Sequence, residues 1–247
     1  MSGAAEANLE LGLEVNVDSM RYITDVLRAQ QKERSKPAVV VFPSSLAVFG
    51  PSGEGEVVNE RTITLPQSSY GAQKSLVETL LNDFSRRGLI DARIVRLPTI
   101  IVRPGKPTGA ASSFCSGIIR EPLNGEVGVL PVKKDLALWI CSSRTIIKNL
   151  VKASSISAER FGKGGSRIVN LPGSTVTVQE MLDALGKVGG LKALDLVQEE
   201  YDESVERIVG SWPARFDTKR AKELGFEDDV GLEQLFRDYV EDYMPKK

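Results

Sequence analysis

Histidine is absent from all 247 residues of this chain. That removes Ser-His-Asp and Cys-His triads, imidazole-held metals and an imidazole acid or base. Proton transfer near neutral pH then falls to Tyr, Lys, Cys or a carboxylate. Cysteine is almost as scarce. Cys115 and Cys141 are the 2 present, too few for a disulfide framework or a thiolate metal cage, so both read as buried thiols and no metal is expected. No charge of one sign is in excess, because 32 basic and 33 acidic residues leave a formal net charge of -1. With no basic stripe, a nucleic-acid partner is not expected. No apolar run reaches bilayer length and no signal-peptide core opens the sequence, so a membrane partner is not expected and the cytoplasm is the expected compartment. One further motif is missing. Nowhere does a G-x-G-x-x-G turn join a strand to a helix, the arrangement whose amides cradle a dinucleotide pyrophosphate. The stretches at 50–55 and 162–165 carry glycines, but both read as loops.

What is present centres on Val39 to Pro104. Val39-Val40-Val41-Phe42 reads as a buried strand that empties into Pro43-Ser44-Ser45-Leu46-Ala47-Val48-Phe49-Gly50, a turn with two hydroxyls. Ser68 and Ser69 then supply capping chemistry for a helix whose apolar stripe is Leu76, Val77, Leu80, Leu81 and Phe84. Tyr70 and Lys74 lie four residues apart on that helix and so share a face. An ammonium near a phenol favours the phenolate, so the Tyr70 pKa is expected below its usual value of about 10. A lone Tyr-x-x-x-Lys pair is more often surface decoration; here its context decides. Ala92-Arg93-Ile94-Val95-Arg96-Leu97 follows as a second strand, ending at Pro98-Thr99.

Strand, Ser-rich loop, Tyr/Lys helix, strand and Arg-x-Pro end stand in the order and spacing of the extended short-chain dehydrogenase/reductase superfamily, which this chain resembles. That resemblance implies an α/β fold: part of a Rossmann-like, doubly wound parallel sheet without its first strands, plus a smaller C-terminal α/β substrate lobe. Residues 1–105 are expected to form what remains of the cofactor domain, and 106–247 mainly the substrate lobe, with segments returning to the sheet. The sequence is expected to be the C-terminal two-thirds of a longer enzyme design. It leaves the Val39–Phe42 strand as an exposed apolar edge, which favours association. The resemblance further implies NAD as cofactor, Tyr70 as general base, and Lys74 holding the nicotinamide ribose. Ser45 would bond the reacting oxygen, with Pro98 and Thr99 beside the nicotinamide amide. Asn16 would kink its helix near the active-site lysine, the alternative being a polar residue near solvent.

The remaining segments read as further α/β elements. Leu11–Gln31 reads as a helix with a stripe of Val15, Met20, Ile23, Val26 and Leu27. Strands are expected at 127–130, 136–140, 167–171 and 194–197. Helices are expected near Ile118, at 144–153, from Val176 with Thr177 and Glu180 as a capping box, and at 204–210, 218–224 and 232–243. For substrate, Gln73 before Lys74 and Leu138–Arg144 depart from the nucleotide-sugar epimerase pattern. The blocks at 96–105, 111–114 and 207–216 instead resemble a subgroup that oxidises the small sugar acid D-erythronate. An anionic substrate needs a clamp, and guanidinium pairs bidentately with carboxylate, so Arg103, Arg144, Arg207 and Arg215 are the candidates. A homodimer is the expected assembly. A nucleotide-sugar epimerase or dehydratase, or a non-catalytic remnant that keeps the pocket, stands as the alternative.

Overall fold

The computed structural model describes residues 2–53 and 55–244; Glu54, inside the turn at 50–55, lies outside them. The chain is α/β, with eight strands among the described residues. β1 (Val39–Ser45), β2 (Asp91–Leu97) and β6 (Ile168–Asn170) form an all-parallel sheet in the order β1-β2-β6. A mixed sheet joins β3 (Thr99–Ile101) parallel to β5 (Ala137–Ser142), which pairs antiparallel with β7 (Ser174–Thr177). β4 (Gly128–Leu130) and β8 (Val197–Glu199) pair in parallel.

The helices are short at the start: α1 (Ser2–Ala7), α2 (Leu9–Leu13) and α3 (Ser19–Gln30). The helix that carries Tyr70 and Lys74 is α4 (Ser69–Arg86), followed by α5 (Phe114–Leu123), α6 (Ser143–Ser155) and α7 (Ala158–Phe161). The C-terminal part adds α8 (Val178–Gly189), α9 (Leu191–Leu194), α10 (Glu203–Val209), α11 (Lys219–Leu224) and α12 (Leu232–Tyr243). Among the described residues no helix is long and apolar enough to cross a membrane.

Apolar burial fixes how these layers stack. On one face of the parallel sheet Val17, Phe42, Val77, Leu81 and Ile94 make a core between β1, β2, α4 and the α3 segment. On the other face Val95, Ile146, Phe161, Val169 and Leu224 pack the sheet against α6, α7 and α11. The sheet is thus wound on both sides. A third core, built from α5, α8, α12 and β5 around Ile118, Met181, Ile140 and Phe236, holds the C-terminal part together.

Several local expectations meet the structure directly. Thr177 caps α8 with both bonds of the capping box formed. The first long helix is not regular: Glu14–Asp18 is a π-turn, with Asn16 buried inside it. Its inward stripe is therefore Leu13, Val17, Met20 and Leu27, with a buried Thr24 between, whereas Val15, Ile23 and Val26 of the expected stripe are exposed. Leu76 is likewise exposed, while Val77 and Leu81 carry α4. The strand expected at 194–197 begins later, at Val197, because Leu191–Leu194 closes a helical turn first. β1 was expected to be buried on both faces. Only Phe42 and Ser44 are, and Val39 is 49% exposed, because β2 is its sole sheet neighbour among the described residues.

Candidate functional site

A cleft of about 300 Å³ opens at the carboxyl ends of β1 and β2, the edge where doubly wound sheets take their ligands. Parallel pairing puts Ser45 opposite Leu97, so the turn after β1 and the Pro98-Thr99 segment after β2 form adjacent walls. Ser45 leaves the strand in extended backbone, and its Oγ accepts from the Ala47 amide at 3.1 Å. The start of α4 forms the third wall. Ser68 caps it by accepting from the Gly71 amide at 3.2 Å. Gly71 permits the approach, because a Cβ there would collide with the Ala47 carbonyl oxygen. The helix therefore presses against the Ser45 turn and delivers Tyr70 and Lys74 into the cleft.

Ser45, Tyr70, Lys74, Pro98, Thr99 and Arg103 line this one space. Tyr70 differs from the expectation in its electrostatics. Burial pushes its pKa above the ordinary value; the Ser45 hydroxyl, supporting the phenolate, and the Arg103 charge pull it down, but burial prevails. The Lys74 ammonium also faces the Tyr70 ring, but it is shared with β1. Its Nζ donates to the Pro43 carbonyl at 3.0 Å and lies 4.6 Å from the Phe42 ring centre, against 5.6 Å from that of Tyr70. Burial lowers the Lys74 pKa, and the Glu78 carboxylate one turn on partly restores it.

Beneath the cleft lies a buried ion pair. Arg96 of β2 grips Glu78 of α4 through Nε at 2.9 and 3.1 Å and Nη2 at 2.6 Å, and the Ser44 Oγ donates to the same carboxylate at 2.5 Å. The Arg96 guanidinium also stacks 4.7 Å over Phe49. This network ties α4, β1 and β2 together directly under Ser45, Tyr70 and Lys74. Behind the helix, Asn16 Nδ2 donates to Gln73 Oε1 at 2.8 Å. The π-turn thus aims Asn16 at the residue preceding Lys74.

The four candidate arginines separate. Arg103 lines the cleft, and its guanidinium makes no hydrogen bond or ion pair among the described residues. It follows Val102, which turns with φ 51 and is the one non-glycine with positive φ among the described residues; for a β-branched side chain this costs on the order of 1–3 kcal/mol. Arg144 does not reach the cleft. It pairs with Asp238, Glu241 and Asp242 of α12, at 2.9, 3.0 and 2.5 Å. Arg207 and Arg215 are exposed and stand outside the lining.

Among the lining residues to which the sequence reading gave no role are Ser44, Ser112 and Trp212. Ser112 and Trp212 sit in the very blocks that resembled the sugar-acid subgroup, so a signal existed without a role attached. Among the described residues no group of three or more His, Cys, Asp and Glu is placed to hold a metal ion.

The nicotinamide end of a dinucleotide fits what is here. A lysine ammonium with protons to spare stands at the mouth of the parallel strands, beside the Leu97-Pro98-Thr99 main chain. For the pyrophosphate end, the described residues hold no Gly-rich strand-turn-helix.

Comparison with known proteins agrees with this geometry. The family described as NAD dependent epimerase/dehydratase matches residues 2–164. D-erythronate dehydrogenase of Cupriavidus necator is 46% identical over 98% of this chain and 72% of its own length. The Haemophilus influenzae protein of the same name is 42% identical over 98% of this chain and 74% of its own. Among solved structures, one titled as the nucleoside-diphosphate-sugar epimerase from Agrobacterium tumefaciens superposes with a TM-score of 0.89 at 41% identity, covering 99% of this chain and 70% of that one.

Proposed function

Since this chain belongs to the NAD dependent epimerase/dehydratase family, we propose that it is an NAD-dependent dehydrogenase oxidising a secondary alcohol of a small sugar acid of the D-erythronate type. The observation that carries the reading is an unpaired guanidinium, Arg103, in the same cleft as Ser45, Tyr70 and Lys74. Tyr70 takes the proton of the substrate hydroxyl, and the Ser45 hydroxyl steadies the charge on that oxygen. Arg103 receives the carboxylate. Lys74 would hold the nicotinamide ribose, with Pro98 and Thr99 against the carboxamide. When bound, the nicotinamide ring supplies the hydride acceptor and a positive charge that favours the Tyr70 phenolate. Residues 1–105 form the cofactor domain and carry the catalytic motif, and 106–247 form mainly the substrate lobe, with β6 returning to the parallel sheet. A homodimer is the assembly this reading takes.

Cleft size and charge support a small acid. Among the described residues the lining contains two cations, Lys74 and Arg103, and no carboxylate, so it supplies no charge to pair with the ammonium of an amino-acid substrate. A nucleotide-sugar epimerase is the second reading, favoured by the name of the Agrobacterium structure. Net reduction of NAD is the assay for D-erythronate and L-threonine, and UDP-sugars are followed by product analysis as well, because an epimerase returns the hydride and accumulates no NADH. The proposal expects NADH only with the sugar acid. Turnover of a UDP-sugar in place of D-erythronate would overturn it.

A further inference from the structure

Arg103 owes its place to its backbone. Val102, directly after β3, stands in the left-handed region while 3% exposed, so the chain turns sharply just before Arg103. Two side chains of α5 then hold the Arg103 peptide groups from either side. Its amide donates to Ser116 Oγ at 3.1 Å, and its carbonyl accepts from Arg120 Nη1 at 2.8 Å. Ser116 and Arg120 are four residues apart, one turn along α5, and both are buried. Arg120 is itself steadied by Glu121, whose Oε1 accepts from Nη2 at 2.5 Å. A β-branched residue stays at positive φ only where its surroundings over-determine it, and these two bonds do so. Such strain next to an unpaired cation has a use if that cation must stand at one spot.

We propose that Ser116 and Arg120 are positioning residues that fix the Arg103 guanidinium between the Tyr70 phenol and the carboxylate end of the cleft. The preference for an acidic substrate is then set from α5, by residues that touch no ligand. The carboxylate role rests on the function proposed above; the placement of Arg103 beside Tyr70 does not.

The test is a double-mutant cycle on this chain, with Ser116→Ala and Arg103→Met made singly and together. The first readout is the pH at which Tyr70 ionises, taken from phenolate absorbance as the difference between each protein and its Tyr70→Phe counterpart. Apart from Ser45 and the Lys74 ammonium, Arg103 is the group facing the phenol. Arg103→Met is expected to raise the titration midpoint, Ser116→Ala to raise it part of the way, and the double variant to match Arg103→Met alone. Arg120→Lys, which keeps a donor for the Arg103 carbonyl, is expected to retain more of the wild-type midpoint than Arg120→Met. The second readout is steady-state kinetics with D-erythronate, where Ser116→Ala is expected to raise KM about tenfold with a smaller change in kcat. An unchanged midpoint in Ser116→Ala, or an equal further shift in the Arg103→Met background, would overturn the proposal. If the midpoints follow the cycle but D-erythronate is not oxidised, the positioning stands and the substrate assignment alone fails.

Discussion

Replacing Glu78 by Ala should be among the most damaging single changes in the chain. The carboxylate is 3% and the Arg96 guanidinium 4% exposed, so the substitution strands a cation in a dry interior. It also removes three contacts from Arg96 and one from Ser44. Breaking such a buried pair costs about 3–5 kcal/mol, mostly the penalty of the charge left behind. In a chain of this size each kcal/mol moves Tm by about 2–4 °C, so a fall of roughly 6–20 °C is expected. Thermal and urea unfolding followed by circular dichroism measure it. The reasoning distinguishes the pair from its parts: Glu78→Met combined with Arg96→Met removes both charges and should recover most of the loss, since apolar replacement of a whole buried pair is often close to neutral. A single variant that loses less than about 1 kcal/mol, or a double variant worse than either single one, would refute it.

Three further outcomes follow from the same structure. Because burial raises the Tyr70 pKa, the phenolate should form above the ordinary value of about 10 in the cofactor-free chain, and Ser45→Ala should move it higher by removing a group that lowers it; a midpoint below the ordinary value would contradict this. Cys115, its thiol pushed up to about 12 by burial, and Cys141, also raised, should resist an aromatic disulfide reagent near neutral pH until the protein unfolds; rapid labelling of the native chain would count against both being buried. The open side of β1, where Val39 is exposed, together with the apolar Tyr22, Ile23 and Val26 on α3, should make the chain associate as concentration rises. Sedimentation of a single monomer at all concentrations would exclude that.

Much of the site was legible because its parts are local. Ser45, Tyr70, Lys74, Pro98 and Thr99 fall within one strand-loop-helix-strand unit whose spacing fixes the geometry, and the structure gathers them in one cleft. The α/β class followed from the same order. What escaped depends on contacts distant in sequence. Arg144 and Arg103 look alike as residues, yet one is neutralised by α12, nearly a hundred residues away, and the guanidinium of the other has no partner among the described residues. The rise in the Tyr70 pKa could not be read from its spacing to Lys74, because it comes from burial, which elements distant in sequence create. Asn16 shows a middle case. The residue was singled out, but the π-turn that shifts its helix stripe by changing the spacing has no composition of its own.

The central claim is that Tyr70 removes a proton from the alcohol whose carbon loses hydride. Its most direct test is the rate of NAD reduction by D-erythronate in Tyr70→Phe against wild type, with circular dichroism confirming equal folding. A general base contributes about 10²–10⁴-fold, so kcat should fall by at least that lower factor while the fold is unchanged. Turnover within a few-fold of wild type would contradict the account.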